Sequence, residues 1–261
     1  MDLGLKDKVV LITGGSKGIG LACARAFAAE GAKVAIASRS QDNLNRACEE
    51  LAREGVRAFA VAADLTKPAD AEAMVAATEK TLGAIDVLIN SAGAAKRHAM
   101  EEYDSHAWHQ GMDAKYFPYI HALDAVRGGM LARRQGAIVN IIGTGGKRAQ
   151  PTHLAGGAAN AALMLVTVGM AHALGKSGIR VNAINPAATY TGRVQQAIRL
   201  DAKEKSITEA EALKRSETAI PFGRYGQPEE VAAVAVFLAS ARASYVSGAV
   251  IPMDGAALPI I

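Results

Sequence analysis

Thr13-Gly14-Gly15-Ser16-Lys17-Gly18-Ile19-Gly20 lies between an apolar run, Val9-Val10-Leu11-Ile12, and a run of helix formers, residues 21–29. The first run reads as a buried strand and the second as a helix. A strand, a glycine-rich turn and a helix N-terminus make an anion site, because free backbone N–H groups and the positive end of the helix dipole point at the turn. Glycine allows a phosphate to approach backbone that a Cβ would shield. A lone glycine triplet is a weak signal, but the strand–turn–helix context supplies what it lacks.

Outward from this turn, strand-like and helix-like stretches alternate. Residues 33–37, 56–62, 85–89, 137–142, 179–184 and 249–253 read as further strands. Helices are expected over 42–53 with Asp42 as N-cap, and over 68–82 between Pro68 and Gly83. One long helical region is expected over 106–134, and others over 152–176 and 228–239. Near-continuous apolar strands separated by helices predict an α/β fold. The expectation is a single-domain, doubly wound (Rossmann-type) parallel sheet of about seven strands with helices on both faces, spanning 1–261. Ligands then bind at the strands' C-terminal ends.

Composition narrows the function classes. Of 261 residues, 50% are hydrophobic and 21% charged, an ordinary globular balance. The net charge of +4 comes without a basic run or an aromatic platform, which argues against a nucleic-acid surface. Cys23 and Cys48 fall on expected helices without zinc or CxxC spacing, so they read as buried or free thiols of a reducing compartment. No signal peptide or membrane-spanning apolar run is read, and the cytoplasm is the expected location. His106 and His109 have ligand-like spacing, but no carboxylate or cysteine set joins them, so no metal is expected.

Several motifs together resemble the short-chain dehydrogenases/reductases. The opening loop is similar to that family's cofactor loop, and Asn90-Ser91-Ala92-Gly93 to its Asn-Asn-Ala-Gly signature. Gly178-Ile179-Arg180-Val181-Asn182 and Asn185-Pro186 look like its sixth strand and following turn. The segments 221–230 and 246–255 look like its C-terminal part. The resemblance implies a homotetramer built on long paired helices, and a substrate lid at about 190–220.

The resemblance also implies a nicotinamide dinucleotide. Gly14, Ser16, Lys17, Gly18, Ile19 and Gly20 would hold its phosphates. Asp64 and Leu65 would contact adenine, and Asn90, Ala92 and Gly93 would line the ribose side. Pro186, Ala187, Thr189 and Thr191 would hold the carboxamide end, with Ala187 standing where the family usually has Gly. A dinucleotide fold that prefers NAD carries a carboxylate at the end of its second strand. Here that place holds Ser38 and Arg39, with Lys17 nearby, so NADP(H) is expected.

The family's chemistry rests on Asn, Ser, Tyr and Lys. Its spacing places these four at Lys115, Gly143, Gly156 and Asn160. Asn and Lys have traded places, either as a preserved pair on facing helices or by independent drift. Gly143 and Gly156 are expected to leave open space. Lys115 is the first candidate to replace the proton donor, its pKa lowered by apolar walls and a cationic nicotinamide. Thr144 can polarise a carbonyl. His153 lies a turn before Gly156, though an exposed helix-start histidine is the plainer reading. His98 and Tyr190 are further candidates to face substrate, whereas Tyr116 and Tyr119 read as core or interface aromatics. Lys96, Arg97, His98, Lys147 and Arg148 follow strand ends, where they would attract an anionic substrate if they face the cleft.

Three functions follow. The first is an NADP(H)-dependent oxidoreductase moving a hydride between nicotinamide and a small-molecule carbonyl or alcohol, with a non-standard proton donor. The second is a non-catalytic NADP(H)-binding sensor or partner subunit. The third is a non-redox lyase or isomerase using Lys115 as base.

Overall fold

The apolar strands pair in parallel. The computed structural model describes residues 1–259. Its strands are β1 (Val9–Thr13), β2 (Lys33–Ser38), β3 (Ala58–Ala62), β4 (Val87–Asn90), β5 (Gly136–Ile141), β6 (Ile179–Pro186) and β7 (Val250–Met253). Among the described residues they form one sheet in the order β3-β2-β1-β4-β5-β6-β7, as expected. Strand order reverses between β1 and β4, which opens a crevice at their C-terminal ends. Thr13 and Asn90 are register partners there, as are Asn90 and Asn140.

Helices cover both faces. On one side α1 (Gly18–Ala29) packs against α9 (Pro228–Ala239), with α2 (Gln41–Arg53) beside them. This core includes Ile12, Phe27, Ile36, Leu51 and Ile89. On the other side α3 (Pro68–Leu82), α5 (Phe117–Arg133) and α6 (Leu154–Gly175) enclose Leu11, Met74, Leu88, Met130 and Ile138. Alternate residues of one strand thus feed opposite cores, as the period of two requires.

Local chemistry sets the boundaries. Ser40, rather than Asp42, caps α2, its Oγ accepting from Asn43 N at 3.2 Å. Asp42 lies inside the first turn, where its charge still opposes the dipole favourably. The expected long helix over 106–134 is two helices, α4 (Ser105–Lys115) and α5, meeting at Tyr116. Pro118 explains the break, since it has no N–H to continue the ladder of α4. The charged segment after β6 also divides, into α7 (Gly192–Lys205) and α8 (Glu209–Glu217). Ser206 at φ +53° turns the chain between them, and Thr208 with Glu211 forms a capping box on α8. Ile198, Ala202 and Ala212 give this helix pair its own small core.

One expectation needs correcting. Pro151–Gly175 is long and apolar enough, by length and composition, to cross a bilayer. In the fold this stretch packs against β6 and α4, and Ala155, Ala159, Leu163 and Leu174 are buried. Its apolar length is used to cover the sheet. Cys23 and Cys48 are both unpaired, and burial pushes the Cys23 thiol up to about 12.

Candidate active site

The crevice begins at the β1–α1 turn. Gly14 sits at φ +67°, and a Cβ there would lie 2.8 Å from the Ser91 carbonyl and 2.9 Å from Ala92 N. The turn is therefore pressed against the segment after β4, an approach that only a residue without a Cβ permits. Thr13 fastens the two together. Its hydroxyl donates to Asn90 Oδ1 at 3.3 Å and accepts from Ser91 N and Ala92 N at 3.1 and 3.2 Å. Asn90 Nδ2 in turn donates to Asn140 Oδ1 at 3.0 Å, and Asn140 Nδ2 to Thr167 at 2.9 Å. This buried polar chain ties three strand ends to α6.

The N-terminus of α1 has no side-chain cap and no acidic residue in its first turn. Its free N–H groups and dipole suit a phosphate, so the residues present fit a dinucleotide. Thr191 stands over the turn, its Cγ2 3.5 Å from where a Gly18 Cβ would be. A cavity of about 550 Å³ lies outside the turn, lined by Lys17, Gly18, Arg46, Tyr190, Thr191 and Gln195 among others. It does not include Lys115 or His153.

Ser38 ends β2, and Arg39 follows it on the surface. Burial opposes ionisation of Asp64. Hydrogen bonds from Thr66 and the charges of Arg39 and Lys67 outweigh that effect and hold its carboxyl below the usual value. Leu65 is buried beside it. At the other end of the crevice, Thr189 is buried and bridges to Gly226. Ala187 N donates to the Met253 carbonyl at 3.0 Å. Pro186 closes β6.

Lys115, the last residue of α4, is buried. Its Nζ donates to Tyr119 Oη at 2.8 Å and to the Ile141 carbonyl at 3.4 Å, and lies 4.4 Å from the Tyr119 ring centroid. Tyr119 Oη donates onward to the Ile141 carbonyl. No carboxylate pairs with Lys115 among the described residues. Burial, and then the charge of Arg193, bring its pKa down to about 7. The shift toward neutrality has burial as its first cause, as expected, with Arg193 as a further cation. Burial also pushes the Tyr119 phenol up. Tyr119 is thus more than a core aromatic. The i,i+4 spacing of Tyr119 from Lys115 is the available signal, and the helical backbone at Tyr116 (φ −78°, ψ −58°) carries that spacing across the junction.

The expected pair of Lys115 with Asn160 is not hydrogen-bonded. Lys115 is engaged by Tyr119 and Ile141, while the Asn160 carboxamide turns toward the β5–α6 connection. A Cβ on Gly143 would lie 3.4 Å from Asn160 Nδ2, and one on Gly145 would lie 3.3 Å from it. Gly143 itself, at φ +132°, adopts a conformation that side-chain-bearing residues avoid. Thr144 begins a short 3-10 turn, Thr144–Gly146, whose first carbonyl accepts from Lys147 and Arg148 N–H groups.

The space expected beside Gly156 is not open. A Cβ on Gly156 would collide with the His153 ring, lying 2.5 Å from Nε2 and 2.8 Å from Nδ1. His153 closes the 3-10 turn Pro151–His153 and precedes α6 with φ −137° and ψ 34°. That backbone folds the imidazole back over the first turn instead of into solvent. His153 is therefore half-buried rather than an exposed helix start. Burial, followed by Arg97, Lys115 and Arg193, lowers its pKa. Buried His153 Nδ1 and Asn160 Oδ1 lack hydrogen-bond partners among the described residues.

The remaining candidates divide. Arg97 Nη1 donates to Gln150 and Thr152, joining the loop after β4 to the loop before α6. Lys96, Lys147 and Arg148 are exposed. His98 packs on Tyr103, at 5.5 Å between centroids, and Tyr190 packs on Tyr225 at 6.0 Å. Among the described residues, no three His, Cys, Asp or Glu side chains gather as a metal site. Arg193, at the start of α7, bears on both Lys115 and His153, and no motif in the sequence marks it.

Comparison with known proteins gives a consistent relation. A family model described as enoyl-(acyl carrier protein) reductase matches residues 14–256. The chain is 38% identical over 252 residues to 2-(S)-hydroxypropyl-CoM dehydrogenase 3 of Xanthobacter autotrophicus, covering 96% of both chains. It superposes with a TM-score of 0.93 on L-sorbose reductase from Gluconobacter frateurii complexed with NADPH and L-sorbose, at 32% identity and full coverage of both. It superposes at 0.87 on NAD⁺-bound xylitol dehydrogenase, with 28% identity over 96% of this chain and 99% of that one.

Proposed function

The chain belongs to the short-chain dehydrogenase/reductase family, and on that premise we propose that it is an NADP(H)-dependent oxidoreductase of a small carbonyl or alcohol substrate. The carrying observation is the buried Lys115 amine, brought near neutrality at the end of a crevice whose glycine turn and uncapped helix fit a diphosphate. When bound, the cofactor would supply or accept a hydride. The chain's own residues do the rest.

Gly14, Ser16, Lys17, Gly18, Ile19 and Gly20 would hold the diphosphate. Ser38, Arg39 and Lys17 favour a 2′-phosphate, since no carboxylate stands at the end of β2. The NADPH-bound relative supports this choice; the NAD⁺-bound one shows that the fold also admits the other cofactor. Asp64 and Leu65 face the adenine end, Asn90, Ala92 and Gly93 the ribose, and Pro186, Ala187, Thr189 and Thr191 the carboxamide. The proton is handled by a rebuilt group comprising Lys115, Thr144, His153 and Asn160, with Tyr119 positioning the Lys115 amine. Titratable side chains in such a group can exchange protons in either direction at neutral pH.

Arg97 from the loop after β4 and Arg193 from α7, both acting on His153, favour an anionic substrate. The unpaired cysteines suit the cytoplasm. Leu165 and Val168 on α6 are 75% and 48% exposed, and Phe117 and Leu131 on α5 are exposed as well. Apolar side chains displayed on the two long helices support a homotetramer. Light scattering at micromolar concentration is expected to give about four times the chain mass, and a monomer would contradict it.

A second reading has its own support: two of the three Lys115 donors are already spent on Tyr119 and Ile141. That arrangement suits a chain that binds the cofactor as a sensor or partner subunit. NADPH consumption against a panel of carbonyls, with Lys115→Ala as control, separates the two. Product formed with no net or transient cofactor change would indicate lyase or isomerase chemistry.

A further inference from the structure

We propose that the His153 imidazole, seated in the volume that a side chain at position 156 would fill, is the group that exchanges a proton with the substrate oxygen. The inference rests on the oxidoreductase reading above and names the catalytic group within it.

Three observations converge on His153. The ring is held between two glycines. A Cβ on Gly156 would lie 2.5 Å from Nε2, and one on Gly145 would lie 3.4 Å from Cδ2. Any larger residue at 156 would evict it. A Cβ on Gly145 would lie 3.4 Å from the His153 ring and 3.3 Å from Asn160 Nδ2, and Lys115 bears on the imidazole by charge, so the ring belongs to the same pocket as these two residues. Finally, Nδ1 is buried without a partner among the described residues, a cost that a structural histidine avoids by hydrogen bonding.

Lys115 is less suited to touch substrate. Its ammonium is directed at Tyr119 and the Ile141 carbonyl, beneath the strand end. Its role toward His153 is electrostatic. The charged groups bearing on the imidazole are Arg97 from the loop after β4, Lys115 from α4 and Arg193 from α7. Tyr103 lies close by as well, its Oη accepting from Leu154 N at 2.8 Å. Three cations beside a half-buried ring favour the uncharged imidazole, the form that can accept a proton. The same cations stabilise the alkoxide that precedes the carbonyl.

In the oxidative direction the alcohol O–H breaks and its proton goes to the unprotonated imidazole nitrogen. The carbinol C–H bond breaks, its electron pair leaving as hydride to NADP⁺, and the C=O bond forms. In reduction the imidazolium returns the proton to the oxygen as hydride arrives from NADPH. The proton balance with solvent passes through the ring.

The test uses the full-length protein and any carbonyl that it reduces. His153→Ala is expected to lose about 100-fold or more in kcat, with the NADPH dissociation constant unchanged and turnover partly restored by added imidazole. His153→Gln is expected to lose as much without rescue. A readout independent of turnover is the imidazole ¹⁵N spectrum. The His153 midpoint is expected below the ordinary histidine value, to rise in Lys115→Met, and to move when NADP⁺ binds. Wild-type turnover retained within threefold in His153→Ala would overturn the proposal, as would loss of NADPH binding in both variants, which would mark a packing role. A wild-type protein that reduces nothing in the panel would instead sink the oxidoreductase reading, and the proposal with it.

Discussion

Lys115→Met is expected to make the protein more stable below pH 7 while lowering turnover by about 100-fold or more. The side chain is buried with no carboxylate partner, so its charged form is held at a cost. Met fills similar volume without the charge, and Tyr119 keeps its hydrogen bond to the Ile141 carbonyl. The sign follows from the two pKa values. In the folded chain the amine loses its proton at about 7, whereas in the unfolded chain it stays protonated to about 10.4. Between these values the unfolded chain binds more protons, so wild-type stability rises with pH. Below pH 7 both states are charged, and the folded state bears the whole cost of burial. The advantage of the variant is therefore largest at pH 6 and shrinks by on the order of 1.4 kcal/mol per pH unit above 7. Urea unfolding at pH 6, 8 and 9.5 measures it. A gap independent of pH would contradict the depressed amine.

Arg39→Asp is expected to reverse the preference between NADPH and NADH. The wild-type guanidinium would donate charge-assisted bonds to a 2′-phosphate, worth about 1.5–3 kcal/mol. The carboxylate removes these and adds repulsion, while offering an acceptor to an unphosphorylated ribose. Together the ratio of dissociation constants should move by about 100-fold or more. Arg39 is exposed, so the NADPH term should weaken with salt. An unchanged ratio would remove Arg39 from the cofactor site. Asp64 offers a second check. The charge of Arg39 helps hold the Asp64 carboxyl below its usual value, and the variant should raise it.

The fold was legible because hydrophobic runs and punctuation agree. Pro68–Leu82 and Pro228–Ala239 begin at a proline and end where expected. The strands are apolar on both faces and could pair only inside a covered sheet. The break at Tyr116 was missed because helix formers run on either side of Pro118, and the missing ladder bond outweighs their propensity. Ser40 took the cap from Asp42 by geometry alone, both being competent residues.

The site was legible in part, and for a different reason. Lys115, Gly143, Gly156 and Asn160 were located by spacing, since helix and strand registers carry position along the chain. How their side chains would divide the space was not encoded locally. Two glycines read as openings, yet a neighbouring backbone turn swings His153 over one of them. Asn160 and Lys115, which look like a pair in sequence, face different partners. Arg193 bears on the site from α7, a long-range placement that no window of sequence displays.

The proposed function requires this crevice to move a hydride between nicotinamide and a carbon–oxygen bond, with its own residues handling the proton. The most direct measurement uses NADPH deuterated at nicotinamide C4 on the hydride-donating face, incubated with a panel of neutral and anionic carbonyls. Deuterium is expected on the carbinol carbon of at least one product, in one-to-one proportion with NADP⁺ formed and strongly reduced in Lys115→Ala. Tight NADPH binding with no deuterium transferred to any carbonyl would contradict it and leave a cofactor-binding sensor in its place.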